Sequence, residues 1–299
     1  LAFSNSKQYT WIVAGILFAI LWASASAATK IGLADAQPLV IAQVRFMIAA
    51  VVMLVFSHLI KRYALPTGKE WKYLTVYGLL NITVYLGCYV VAMQHVTAGI
   101  GSLAVATNPL FISLISVFFL RKRLQPATVI AIILGTAGVM IASWPLFKQA
   151  TVTTAGLLLL LFSMLSYSAG AIYFSTKEWN GLHLFTINGW QTLIGGMLLL
   201  PVTLITYHNT NNHFTPGFWL SVLWLAVPVS IFAVQIWLWL LSTNAVKAGL
   251  WLFLCPVFGF AIAAWLTHDV ISSYTIAGVA LVLAGLFLAQ KSSKQSAGS

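Results

Sequence analysis

Apolar residues run along this chain in long blocks, each closed by charge, proline or a polar cluster, and none alternates with the period of a strand. A block of about twenty apolar residues spans the hydrocarbon core of a bilayer as an α-helix, whereas outer-membrane strands show shorter, alternating segments. Ten helices are predicted, at 11–31, 39–60, 71–93, 98–120, 126–144, 154–175, 184–206, 218–241, 245–266 and 274–290. Short connections join them. The fold class expected is an all-α membrane protein of ten transmembrane helices.

The blocks repeat. Shifted against itself by 147 residues, the chain places Pro109 on Pro256, Gly138 on Gly285 and Thr29-Lys30 on Thr176-Lys177. Residues 1–150 and 151–299, the latter with a short polar C-terminal tail, are therefore read as two repeats of five helices each. An odd number of spans makes the second repeat enter the bilayer from the opposite side, so the repeats are inverted. Inverted repeats offer two nearly equivalent packings, one open to each face, and alternating access needs that property.

Composition agrees with a membrane setting. Hydrophobic residues are 61% of the chain and charged residues 6%, too few to coat a soluble domain. The net charge of +11 is dispersed in short basic clusters between apolar blocks, which fits cytoplasmic loops and not a nucleic-acid face. An N-terminus in the cytoplasm puts Lys7, Lys61, Arg62, Lys69, Lys72, Arg121, Lys122, Arg123, Lys177, Lys247, Lys291 and Lys294 inside, Lys30 and Lys148 outside, and Arg45 within the second span. Both termini are then cytoplasmic. The first block lacks a charged leader and a cleavage site and is read as a retained helix. Cys88 and Cys255 lie in separate apolar blocks and read as small apolar side chains.

Several local runs form a family pattern. They are Leu21-Trp22-Ala23-Ser24 ending in Lys30, the run from Pro38 to Arg45-Phe46, Asn108-Pro109, the basic Arg121-Lys122-Arg123, and Gly135-Thr136-Ala137-Gly138. In these the chain resembles the drug/metabolite transporter superfamily, specifically the bacterial EamA type with two five-helix repeats. The resemblance covers essentially the whole chain. It implies a ten-helix fold in the bacterial inner membrane and the export of metabolites or amino acids. The second half diverges more, with Thr192 standing where the shift places a counterpart of Arg45.

Matched helix breakers in the two repeats point to a midplane site, because they free backbone groups. Pro109 and Pro256 are such a pair, leaving the carbonyls of Val105 and Leu252 to line a cavity or to bend their helices. The third span places Asn81, Tyr85 and Cys88 on one stripe, and the eighth places Trp224, Pro228, Gln235 and Trp239 on another. The shift relates Asn81 to Pro228 and Cys88 to Gln235, so the stripes are expected to face each other. Candidate solute-binding residues are Trp22, Ser26, Asn81, Tyr85, Asn108, Tyr167, Gln235, Trp239 and Trp251. The hydroxyls and amides among them serve equally well as glue between helices. Lys30 and Arg45, on the outer side with Asp35 and Asp269 nearby, form a gate, contact an anion, or anchor by snorkelling to headgroups.

All four acidic residues, Asp35, Glu70, Glu178 and Asp269, are placed in loops, which argues against a buried carboxylate relay for protons. Facilitative and proton-coupled transport both stay open. The chain lacks a phosphate-binding glycine loop, metal-ligand clusters and a nucleophile with its base, so neither a cofactor nor catalysis is expected. The reading is a secondary transporter for a small solute, monomeric or homodimeric. Import by the same fold, a channel and a membrane-embedded enzyme are the alternatives.

Overall fold

A chain segment in lipid must satisfy its backbone groups internally, and apolar blocks of this length do so as helices. The computed structural model describes residues 5–121, 124–149, 153–267 and 273–295. Every regular element among them is helical. Ten rods follow in order: α1 Asn5–Leu33, α2 Pro38–Ile60, α3 Lys69–Ala92, α4 Ala98–Phe118, α5 Pro126–Gln149, α6 Thr154–Thr176, α7 Leu184–Ile205, α8 Pro216–Thr243, α9 over residues 245–267, and α10 Ser273–Gln295. Eight are long and apolar enough to cross a membrane, while in α5 and α10 the apolar stretches are shorter, Pro126–Ile141 and Ile276–Leu288. The expectation of ten full-length spans is thus met by eight of the rods. Lys122, Arg123 and Asp269 lie outside the described residues.

The 147-residue shift carries over to the elements. It takes Lys69 to Pro216, Ala98 to Ala245 and Pro126 to Ser273, each the first residue of its helix. The side chains before α4 and α9 cap alike, Thr97 accepting from the Ile100 amide and Asn244 from the Lys247 amide. Two π-helical stretches also coincide under the shift, Leu79–Val84 in α3 and Leu225–Ala233 in α8. Pro228, which has no N–H for the ladder, lies in one, and Asn81 occupies the equivalent place in the other.

The paired prolines act differently from expectation. Helix α4 stops at Ala106–Thr107 and restarts at Asn108, and α9 passes through a 3₁₀ turn at Trp251–Phe253 before resuming at Leu254. Pro109 and Pro256 therefore sit in the first turn of a new helical segment, where a missing N–H costs nothing. The two broken helices meet beside their interruptions: Ser102 Oγ donates to the Cys255 carbonyl at 3.1 Å.

Packing follows an approximate two-fold. Helices α5 and α10 pair along their length, and α4 crosses α9. A Cβ at Gly138 would lie 2.5 Å from the Gly278 carbonyl, and one at Gly285 would lie 3.0 Å from the Ala131 carbonyl. The shift interchanges those two contacts, and small residues at such crossings let backbones meet. Helix α3 packs on α6 and α7, and α8 packs on α1 and α2. The stripes of α3 and α8 do not face each other. Each is laid against the opposite repeat.

Candidate functional site

Where the repeats meet, aromatic rings from both form one continuous cluster. On α1, Phe18, Trp22 and Ser26 recur at four-residue spacing and share a face. Phe18 stacks on Trp237 of α8 at 5.0 Å, Trp237 stacks on Tyr167 of α6 at 5.6 Å, and Tyr167 lies 5.7 Å from Trp22 and 4.7 Å from Tyr85 of α3. Tyr89, one turn beyond Tyr85, shares a 2.8 Å hydrogen bond with Ser26 Oγ. Trp251 closes over α1 at Gly15, whose missing Cβ would fall 2.1 Å from the indole. Tyr167 Oη, Trp237 Nε1 and Trp251 Nε1 are buried and have no hydrogen-bond partner among the described residues.

A buried polar chain runs beside the rings. Arg45 is 2% exposed, and its Nε donates to Ser230 Oγ at 2.7 Å. Asn188 Nδ2 donates to the Ser230 carbonyl, Gln191 Nε2 donates to Asn188 Oδ1, and Asn81 Nδ2 donates to Gln191 Oε1, at 3.0, 3.1 and 3.2 Å. Both π segments enter this chain, through Asn81 and Ser230. Irregular helix within a spanning rod is commonly found at functional sites.

The predicted residues divide in the structure. Trp22, Ser26, Tyr85 and Tyr167 are brought together, Trp251 packs on α1 at Gly15, and Gln235 is half-buried with an Oε1 that has no partner among the described residues. Asn108 is fully buried, but Met164 Sδ takes its Nδ2–H and Ser168 Oγ donates to its Oδ1. Its amide ties α4 to α6. Trp239 is 36% exposed and lies against Trp11, outside the cluster. Arg45 does not snorkel, because its guanidinium is enclosed by protein. Lys30 Nζ donates to the Met93 carbonyl and caps the end of α3. Sequence reasoning missed Phe18, Tyr89, Trp237, Asn188, Gln191 and Ser230. The Asn188, Gln191 and Thr192 spacing in an otherwise apolar block is the signal that could have found the chain on α7.

Loops close the two ends unequally. At one end the α1–α2 loop is bound to the α7–α8 loop: Thr215 Oγ1 donates to Asp35 Oδ2, the His213 amide to the Asp35 carbonyl, and Gln37 exchanges hydrogen bonds with Asn212 and His208. At the other, the α2–α3 and α6–α7 loops meet through Tyr63 stacked on His183, ring centres 3.9 Å apart. A cavity of about 280 Å³ opens at this second end among the ends of α4, α5, α6, α8 and α9, lined by Ser116, Thr128, Ser175, Asn244 and Lys247. None of the predicted site residues lines it.

His183 Nδ1 accepts the Phe185 amide at the start of α7, and partial burial lowers its pKa below the ordinary histidine value. The folded state therefore favours the neutral ring. Its contribution is present above the ordinary value and is lost as pH falls through the lowered folded value. Hydrogen exchange at the Phe185 amide should accelerate over that acid window, and His183→Gln should flatten the response. An unchanged acid profile in that variant would remove His183 from the cap.

Residues 9–144 and 154–290 each match the sequence profile of the EamA-like transporter family. Among similar proteins, Protein PecM of Dickeya dadantii is 27% identical, over 85% of this chain and 83% of its own. The uncharacterized transporter YvbV of Bacillus subtilis is 26% identical, over 92% and 90%. The uncharacterized inner membrane transporter YedA of Escherichia coli is 27% identical, over 86% and 84%. A solved crystal structure superposes with a TM-score of 0.75 at 18% identity, covering 94% of this chain and 96% of the other, and shows the same fold.

Proposed function

The chain belongs to the EamA-like transporter family, with two EamA domains repeated, and from that premise we propose how it works. It is a secondary transporter that exports a small metabolite or amino acid across the bacterial inner membrane by alternating access. The ten helices are ten spans in two inverted repeats, with α5 and α10 crossing as a pair and both termini cytoplasmic. The observation that carries this reading is the buried aromatic cluster with its polar chain, to which helices of both repeats contribute.

The solute sits among Trp22, Ser26, Tyr85, Tyr167, Trp237 and Trp251, where N–H and O–H groups without a partner among the described residues can donate to it. Asn81 and Asn108 position the helices around it, and Gln235 lines the path. In this orientation the Asp35 and Gln37 loop closes the outer face, and the cavity beside Lys247 is the cytoplasmic vestibule. Of the acidic residues described, Asp35 is engaged in the outer loop, Glu178 lies beyond the end of α6, and Glu70 in the first turn of α3 accepts from Thr67. A carboxylate proton relay at the midplane has no member among them, which favours facilitative over proton-coupled transport.

Counterflow in proteoliposomes tests the proposal, with a panel of amino acids, aromatic metabolites and cationic drugs. Saturable exchange is expected with at least one solute, reduced about tenfold or more by Tyr167→Ala, which removes a buried ring and its hydroxyl, and weakened by Gln235→Ala. An imposed pH gradient should leave the exchange rate unchanged. Folded protein that supports no saturable exchange across the panel would overturn the proposal.

A further inference from the structure

A guanidinium stays protonated at any pH a protein meets, and a charge held inside a membrane protein is normally paired. Arg45 departs from that rule. It is 2% exposed on a spanning helix, and its one hydrogen bond among the described residues uses Nε, toward the neutral Ser230 hydroxyl. The four N–H bonds of its Nη nitrogens have no described acceptor. The Phe46 ring lies 5.5 Å from its Cζ, and Tyr85 and Tyr89 are close enough to act on it electrostatically. Asp35, Glu70 and Glu178 are each placed elsewhere, the first two held by Thr215 and Thr67.

We propose that the counter-ion of Arg45 is the transported solute, and that the solute is an amphipathic monocarboxylate. The inference rests on reading the aromatic cluster as the solute site. A planar guanidinium whose Nη groups have no acceptor among the described residues matches the two oxygens of a carboxylate, and such paired, charge-assisted bonds are about twice as strong as neutral ones. Tyr85, within electrostatic reach of Arg45, lies 6.0 Å from Tyr89 and 4.7 Å from Tyr167, and the flat faces of these rings accommodate an apolar body next to the charged head. Trp237 Nε1 and Trp251 Nε1, both buried, donate only and so favour an acceptor-bearing solute. Charge decides between anions. Arg45 brings one positive charge beside the rings, which balances a single negative charge and not a phosphate dianion, while the Lys30 ammonium is directed to the Met93 carbonyl. An α-ammonium beside the carboxylate would find no described carboxylate to balance it, which places a plain acid ahead of an amino acid.

Binding to the purified full chain in detergent tests this without requiring flux. The probes are 3-phenylpropionate, its neutral amide, 3-phenylpropylamine, L-phenylalanine and inorganic phosphate, measured by calorimetry and by the shift of thermal unfolding. The acid should bind about tenfold or more tighter than the amide, the equivalent of one charged hydrogen-bonding pair. It should also bind tighter than phenylalanine, and the amine and phosphate should not bind. Arg45→Gln should bring acid and amide to equal affinity, and Arg45→Lys should keep part of the preference. Should Arg45→Gln fail to fold, the order of affinities in the unaltered protein still decides. Asp269→Asn should leave that order unchanged; a gain in acid affinity would show that Asp269 is the counter-ion and overturn the proposal. Equal binding of acid and amide would overturn it too. Saturable exchange of some solute with no preference for acids leaves the transport reading standing alone, whereas acid binding with no exchange of any solute leaves the carboxylate site standing alone.

Discussion

Asn188→Leu is expected to destabilise the protein by about 2–4 kcal/mol and to abolish solute exchange. Asn188 is fully buried and serves three neighbours: it donates to the Ser230 carbonyl and accepts from Gln191 Nε2 and Thr192 Oγ1. A single hydrogen bond between membrane helices has a net worth of only about 0.6 kcal/mol on average, because the separated helices find other partners. Leucine, however, leaves two well-paired groups, the Ser230 carbonyl and Gln191 Nε2, unsatisfied at once inside a packed site, each at the lower end of about 1–3 kcal/mol. It also uncouples Ser230 from α7 and so releases the support of the Arg45 Nε. Thr192→Val is the control. Its 3.4 Å contact with Asn188 is long, and the change should cost less than about 1 kcal/mol. Unfolding in mixed detergent and SDS micelles, with exchange measured on the same preparations, reads both effects. Equal stability of the two variants would contradict a continuous chain through Asn188.

Gly138→Leu should separate α5 from α10. The obstacle is backbone: an added Cβ sits 2.5 Å from the Gly278 carbonyl and 3.0 Å from the Val282 amide nitrogen, and neither can rotate away. Overpacking in cores typically costs about 1–3 kcal/mol where side chains can yield. Here the helices themselves must part, so the loss is expected at or above the top of that range. Gly87→Ala provides the contrast, since its Cβ would meet only the Leu199 side chain, at 3.1 Å, and that side chain can turn aside. Thermal unfolding followed by size-exclusion chromatography should show Gly138→Leu lost about ten degrees before Gly87→Ala is affected, on the scale of about 2–4 °C per kcal/mol for larger domains.

Much of this architecture is legible in the chain because block length and charge punctuation report directly on helices in lipid. Helix starts at Ala98, Pro126, Thr154, Leu184 and Ala245 fall where the blocks begin. Trp22, Tyr85, Tyr167 and Trp251 are legible as inward-facing positions for the same reason. Trp239 is not, and the cause is local. A stripe drawn through Trp224, Gln235 and Trp239 assumes one helical period throughout, but the π segment Leu225–Ala233 changes the residues per turn and rotates everything after it. Trp237 turns inward in its place. Arg45 fails for a different reason. Depth along α2 alone makes it look able to reach headgroups, whereas its burial is decided by Ser230, 185 residues later. The same holds for Asn81 and Gln191, 110 residues apart, whose pairing replaces the expected encounter of the α3 and α8 stripes.

The central claim is that one buried site is opened alternately to two sides. The loops that close those sides are Asp35–Gln37 against Asn212–Thr215, and Tyr63 against His183. Spin labels placed at Ala34 and Thr210 for the first, and at Ala64 and Glu178 for the second, with Cys88 and Cys255 changed to alanine, report each separation in the membrane. Alternating access requires opposed distance distributions: conditions that lengthen the Ala34–Thr210 distance shorten the Ala64–Glu178 distance, and a transported solute shifts the balance between them. Both pairs lengthening together, or neither changing while solute exchange proceeds, would contradict it.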